Sequence, residues 1–113
     1  MDTFNFSNIT LDIIDYIERN FSSPITLQTI AEYVGYNKNY ICSVFKHDMD
    51  MTIIDYLNYV RIITASQYFK YSDRHISRIA QRCGFSDVSH FSHTFKKIMG
   101  VSPAEYRRKT PDT

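Results

Sequence analysis

The stretch Ile79-Ala80-Gln81-Arg82-Cys83-Gly84-Phe85-Ser86, followed by His90-Phe91-Ser92-His93-Thr94-Phe95-Lys96, decides the fold of this chain. Ala80 is small enough for two helices to cross closely. Gly84 permits a sharp turn, because glycine enters positive φ without steric penalty. Phe85 is expected to pin that turn to a core, and Phe95 to anchor the following helix. The same arrangement occurs earlier, in Ile30-Ala31-Glu32-Tyr33-Val34-Gly35-Tyr36-Asn37 and then Tyr40-Ile41-Cys42-Ser43-Val44-Phe45-Lys46, with Tyr36 and Phe45 in the matching places. The second copy carries one extra residue after its glycine, and Tyr56 and Tyr106 correspond just downstream.

A single alanine–glycine match is weak, because many helical proteins contain one. Two copies joined by one long helical stretch are far more specific. A short helix, a glycine turn and a longer helix presented outward is the pattern of a helix-turn-helix unit. A helical hairpin repeat used for protein binding is the alternative, but solenoids generally need three or more repeats and this chain has two.

Outward from the repeats, the chain reads as nearly all helix. Three glycines and three prolines punctuate 113 residues. Ile9, Ile13, Ile14, Ile17 and Phe21 recur at helical spacing over 8–20, with Asn8 or Thr10 as the expected cap and Ser22-Ser23-Pro24 as the stop. Short helices are expected over Leu27–Val34 and about Ile76–Cys83, stopped by Gly35 and Gly84. Asn37 and Ser86 are expected to cap the helices that follow, which run to about Asp48 and Met99. Thr52 is expected to cap a long helix to about Tyr71, apolar on more than one side, as a helix packed on both flanks would be. Ser102-Pro103-Ala104-Glu105 supplies a cap, a proline at the first helical position and a glutamate at the third, and the tail from Lys109 is expected to fray. The expected fold is therefore all-α: seven helices in two homeodomain-like bundles, over 8–51 and 72–109, joined by a linker helix over 52–71.

Composition sets the outer bounds. Hydrophobic residues make up 43% of the chain and aromatics 15%, enough for a buried core. No apolar run approaches the ~20 residues of a membrane span, and Met1-Asp2-Thr3-Phe4 does not begin a signal peptide, so a cytoplasmic protein is expected. Cys42 and Cys83 lie far apart and form no CxxC pair, which fits two free thiols in a reducing compartment. The net charge is only +1, but it is divided unevenly: residues 1–57 hold three basic against eight acidic side chains, and residues 58–113 ten against four. Such asymmetry can mark one half as the stronger contact to a polyanion.

From about Ile9 to Arg107 the chain resembles the DNA-binding domain of AraC/XylS-type bacterial transcription regulators. The resemblance is densest from Ile79 through Ser92, then at Phe95-Lys96-Lys97, Gly100-Val101-Ser102-Pro103 and Tyr106-Arg107, and it extends to Arg61-Ile62 and Ala65 in the linker helix. It implies two subdomains bridged by the long helix, binding to double-stranded promoter DNA, and control of transcription initiation, often by activation through RNA polymerase. It also implies a preceding effector-binding or dimerisation domain. None is present in this sequence, which is read as a C-terminal fragment in preference to a stand-alone regulator. The expected location is the cytoplasm, at the nucleoid.

The major groove admits a helix, and grooves one turn apart lie ~34 Å apart. Two recognition helices in successive grooves would read an asymmetric site. The outward residues of the first are Lys38, Asn39, Cys42 and Ser43, and of the second Val88, Ser89, Ser92 and His93. These are the base-contacting candidates. Asn37, Tyr40, Lys46, Ser86, His90, Lys96 and Lys97 are the phosphate-contacting candidates, which fix register without specifying sequence. Arg61, four residues from both Leu57 and Ala65, is read as a structural arginine with a partner, with a phosphate contact as the second reading. Ser43 and His93 stand where the family often has arginine, Asp50 stands where it usually has glycine, and Asp87 would repel phosphate unless it supports the helix cap. The first unit is therefore expected to bind more weakly than the second.

No HExxH, Walker or nucleophile-elbow pattern occurs, and no enzymatic role or cofactor is expected. His90 and His93 are three apart on one expected helix and could meet a metal, but no second His/Cys pair accompanies them, so no metal site is assigned. The remaining rival is a helical protein-interaction domain that does not bind DNA.

Overall fold

The computed structural model describes residues 5–109, which form seven α-helices and no strand. The helices are α1 (Asn8–Asn20), α2 (Leu27–Val34), α3 (Lys38–Met49), α4 (Ile53–Tyr71), α5 (Ile76–Arg82), α6 (Val88–Met99) and α7 (Pro103–Lys109). The expected all-α class and helix order hold. Of the tail expected to fray, Lys109 ends α7 and the remainder lies outside the described residues. The chain divides into two compact units, with the break after Leu57 inside α4. The division falls where the charge changes sign along the sequence.

In the first unit α1 packs on α2 and α3, and α2 packs on α3. Ile13, Ile17, Ile30, Ala31, Ile41 and Phe45 are buried, so the apolar stripes of three amphipathic helices meet as their spacing requires. The first turn of α4 belongs here. Thr52 caps it by accepting from the Asp55 N–H at 3.0 Å, and the Tyr56 ring lies 5.9 Å from that of Phe45 while its hydroxyl donates to Glu18 at 3.0 Å. The cap of α1 is Ser7, whose hydroxyl accepts from the Thr10 N–H; the expected Asn8 and Thr10 do not cap it. Thr10 is buried and engaged elsewhere. Its hydroxyl donates to Asp48 at 2.6 Å, and the Ser7 N–H donates to the same carboxylate oxygen at 3.0 Å. The end of α3 is thereby latched to the start of α1.

The second unit is built on one aromatic core. Ile62, Ala65, Phe69, Ile79, Ala80, Cys83, Phe85, Phe91 and Phe95 are buried together. Phe69 contacts Phe91 at 6.4 Å and Phe95 at 5.5 Å, which fixes the second half of α4 against α6. Tyr106 of α7 meets Phe95 edge-on at 5.5 Å, repeating the Tyr56–Phe45 pair of the first unit, and Ser102 caps α7 by accepting from the Glu105 N–H at 3.1 Å, as Thr52 does for α4. Arg61 is 9% exposed, with its guanidinium 5.7 Å from the centre of the Phe85 ring, so the structural reading of this arginine holds. Burial lowers its pKa from the ordinary arginine value. Cys83 is fully buried, and the same desolvation pushes its thiol up to about 11.

Two expectations at the turns fail. Ser86 does not cap α6. Asp87 does, accepting from the Ser89 N–H at 2.9 Å, because the extra residue after Gly84 moves the cap one place along. Tyr36 does not pin its turn: it is 51% exposed and lies against Tyr40 at 5.4 Å, whereas its counterpart Phe85 is 4% exposed. The extra residue lengthens the second turn, where Cys83 ends α5 at φ −91° and Gly84 follows at φ +102°.

Candidate nucleic-acid interface

Each recognition helix is held from behind by residues that leave its other face open. In α3, Ile41 and Phe45 are fully buried, and in α6 Phe91 and Phe95 are. Because a helix turns 100° per residue, the side chains at the opposite phase must face outward. Among the base-contacting candidates, Lys38, Asn39, Ser43, Val88, Ser89 and His93 are exposed, while Cys42 and Ser92 are half-buried at the edge of the open face. Cys42, Ser43 and Lys46 line one groove of about 590 Å³ with Leu27, Thr52, Ile53 and Ile54.

All seven phosphate-contacting candidates are exposed. Three are also committed locally. The Asn37 side chain caps α3 by accepting from the Tyr40 N–H at 2.9 Å, and Tyr40 leans on Tyr36. The His90 ring meets Phe85 edge-on at 5.4 Å. Lys46 sits in the last turn of α3, and Lys96 and Lys97 in the last turn of α6, where cations complement the negative end of the helix dipole. None of these three lysines has an ion-pair partner among the described residues. The described residues contain no group of three or more His, Cys, Asp and Glu able to hold a metal ion.

Two arrangements were missed in the sequence. Asp48 is held at about 2 by the Thr10 hydroxyl first and then by the Ser7 N–H, against an ordinary value of 3.8. Its hydroxyl partner lies 38 positions away, beyond any local pattern. Arg107 donates to the Ser72 carbonyl at 3.1 Å and stacks 4.9 Å above Phe69, so it closes the second unit and is not simply part of a basic tail. Asp50 is the one described non-glycine residue at positive φ, 58°, and its N–H caps the Lys46 carbonyl at 2.9 Å. Gly100 does the same at φ 86°, bonding to Lys96 at 2.8 Å.

Two units, each presenting a helix with an open polar face behind a glycine turn, define a DNA-binding domain of tandem helix-turn-helix architecture. The chain belongs to the AraC-type helix-turn-helix family: the family described as "Helix-turn-helix domain" matches residues 30–109. It is 32% identical over 104 residues to the uncharacterised HTH-type transcriptional regulator YtdP of Bacillus subtilis, covering 92% of this chain and 14% of that protein. It superposes with a TM-score of 0.88 and 32% identity on the C-terminal domain of AraT, a response regulator from Geobacillus stearothermophilus, covering 92% of this chain and 87% of that one. The fold is shared, at a TM-score of 0.84 and 20% identity over 90% of this chain and 92% of that one, with the DNA-binding domain of AdpA, a global transcriptional factor whose structure was solved with a target DNA. The curated relatives are longer: this chain spans 14% of one and 37% and 33% of two others. The family is one of DNA-binding domains of transcription regulators and not an enzyme class. No helix among the described residues is long and apolar enough to cross a membrane.

Proposed function

We propose that this domain reads double-stranded promoter DNA with α3 and α6 in successive major grooves and so directs bacterial transcription initiation. The observation that carries this reading is the matched pair of open helix faces. Lys38, Asn39 and Ser43 on α3, and Ser89 and His93 on α6, face solvent while Phe45 and Phe95 hold their helices from behind. Asn39 offers the amide that pairs with adenine, and Ser89 and His93 offer shorter polar contacts to base edges. Val88, 43% exposed, offers an apolar contact for a thymine methyl. Cys42 and Ser92 reach base edges from the margin of each face.

Asn37, Tyr40, Lys46, Ser86, His90, Lys96 and Lys97 are the proposed backbone contacts, which set register. α4 runs unbroken through both units for 19 residues, about 28 Å. A preceding effector domain and RNA polymerase are the proposed protein partners, and the cytoplasmic nucleoid the proposed location.

The test is selection of bound duplexes from a random pool, followed by a salt titration on the enriched site. Two blocks about one helical turn apart are expected, with affinity falling steeply as salt rises. Recovery of no motif, or binding with no salt dependence, would favour a protein-interaction role instead.

A further inference from the structure

The second unit contains a cationic pocket. Tyr68, Tyr71, Ser72, Arg74, Ile79 and Arg82 line a cavity of about 270 Å³ at the end of α4 and along α5. Tyr71 is 82% exposed. Lys70, Arg74, Arg78 and Arg82 follow one another at intervals of four and are all exposed, with Asp73 the only acid in this stretch. None of these four cations forms an ion pair among the described residues.

The internal repeat serves as a control. Arg82 stands two residues before Gly84, as Tyr33 stands two before Gly35. Tyr68 precedes the buried Phe69 of α4, as Tyr16 precedes the buried Ile17 of α1. In the first unit the two counterparts close on each other, with the Tyr16 and Tyr33 rings 4.5 Å apart. Of the two arginines that line the cavity, Arg82 corresponds to Tyr33 and Arg74 to Ile25, so neither place carries a cation in the first unit. A tyrosine pair fills in one unit the place that an arginine and a tyrosine leave open in the other.

We propose that this pocket receives one phosphate of the DNA backbone, outside the groove occupied by α6. This rests on the DNA-binding reading above. In a helix-turn-helix unit the first helix, here α5, crosses the DNA backbone while the second enters the groove. Two guanidiniums beside an exposed tyrosine hydroxyl and the Ser72 hydroxyl match the donors a phosphate needs, since arginine pairs with phosphate through two parallel N–H bonds. The second unit is then anchored at its α5 side as well as through the α6 lysines. The first unit is held by α3 and its turn alone.

The test uses the full chain and the duplex recovered by random-pool selection. The double variant R74Q/R82Q should lower the slope of log K against log salt by about 0.9, the value for one phosphate contact. It should weaken binding to motif and random duplexes by a similar factor, because phosphates carry no sequence information. R74K/R82K should keep most of the slope. One methylphosphonate at the contacted phosphate should weaken the unmodified protein and leave R74Q/R82Q unaffected. In the first unit, Y33R should steepen the slope. Circular dichroism of each variant separates these effects from misfolding. An unchanged slope in R74Q/R82Q, with motif binding intact, overturns the phosphate pocket while the DNA-binding reading stands. If hexaglutamate shifts the Arg74 and Arg82 side-chain resonances and the DNA slope does not move, the occupant is an acidic protein segment and the proposal is wrong. Failure of the unmodified chain to enrich any motif overturns the DNA-binding reading and this inference with it.

Discussion

Replacing Asp50 by glycine should make the first unit more stable. Asp50 ends α3 at φ 58°, ψ 30°, in the left-handed region. L residues there lose roughly 1–2 kcal/mol relative to right-handed backbone, with aspartate at the lower end because it tolerates αL better than most. Its carboxylate also stands at the negative end of the α3 dipole, an unfavourable placement of about 0.3–1 kcal/mol. Against these, glycine frees the unfolded chain and returns about 0.4–1 kcal/mol. The net gain is about 1 kcal/mol, which corresponds to ~4–8 °C in a unit of this size. The matched site in the second unit supplies the reverse experiment. A Cβ at Gly100 meets nothing within 4 Å, so G100D introduces only backbone strain and an adverse charge, and should lose about 1–1.5 kcal/mol. D50N keeps a side chain at positive φ but removes the charge, and should recover only the dipole share. Hydrogen exchange of α3 and α6 amides reads each unit separately, which a single melting curve does not. If D50G is neutral or destabilising, or if D50N gains as much as D50G, the backbone-strain argument is wrong.

Acid should release the latch between α1 and α3. Asp48 titrates at about 2 in the folded chain and near 3.8 when unfolded, so the carboxylate favours folding fully above about pH 4 and loses that effect as pH falls towards 2. D48N should be less stable at neutral pH and should flatten the pH dependence in that window; an equal slope in both proteins would contradict the latch. Cys83, buried and pushed up to about 11, should resist a thiol reagent at pH 8 while half-buried Cys42 reacts, so native protein should label at one site and denatured protein at two. Rapid native labelling at both would show that the second core opens. Neutralising Lys96 or Lys97 should lower the salt slope of DNA binding by about 0.9 for each that meets a phosphate. An unchanged slope would leave these lysines as solvated charges at a helix end.

Much of this architecture is legible in the sequence where local chemistry acts alone. α2 and α4 lie at Leu27–Val34 and Ile53–Tyr71, where turn residues and periodicity place them. The Phe45–Tyr56 and Phe95–Tyr106 contacts follow from the internal repeat, because equal spacing on equal scaffolds brings equal rings together. Local sequence is ambiguous where neighbouring residues compete for one role. Ser7, Asn8 and Thr10 can all cap a helix, and Thr10 is withdrawn by its bond to Asp48. Ser86 and Asp87 compete in the same way, and the extra turn residue decides between them. Tyr36 corresponds to Phe85 in the repeat, but the shorter first turn leaves it at the surface beside Tyr40. Of the candidate interface, the open faces of α3 and α6 could be read from periodicity. The α5 pocket could not, because it depends on how Arg74 in a loop meets Tyr68 and Arg82 on two helices. Arg107 stacking on Phe69 is likewise a product of tertiary packing.

The most direct test repeats the random-pool selection with K38A/N39A and with S89A/H93A. Both pairs are exposed, so the fold should persist. K38A/N39A is expected to blur only the block read by α3, S89A/H93A only the block read by α6, with the second block the sharper in the unmodified protein. If either variant alters both blocks equally, or neither, α3 and α6 are not the helices that read the DNA.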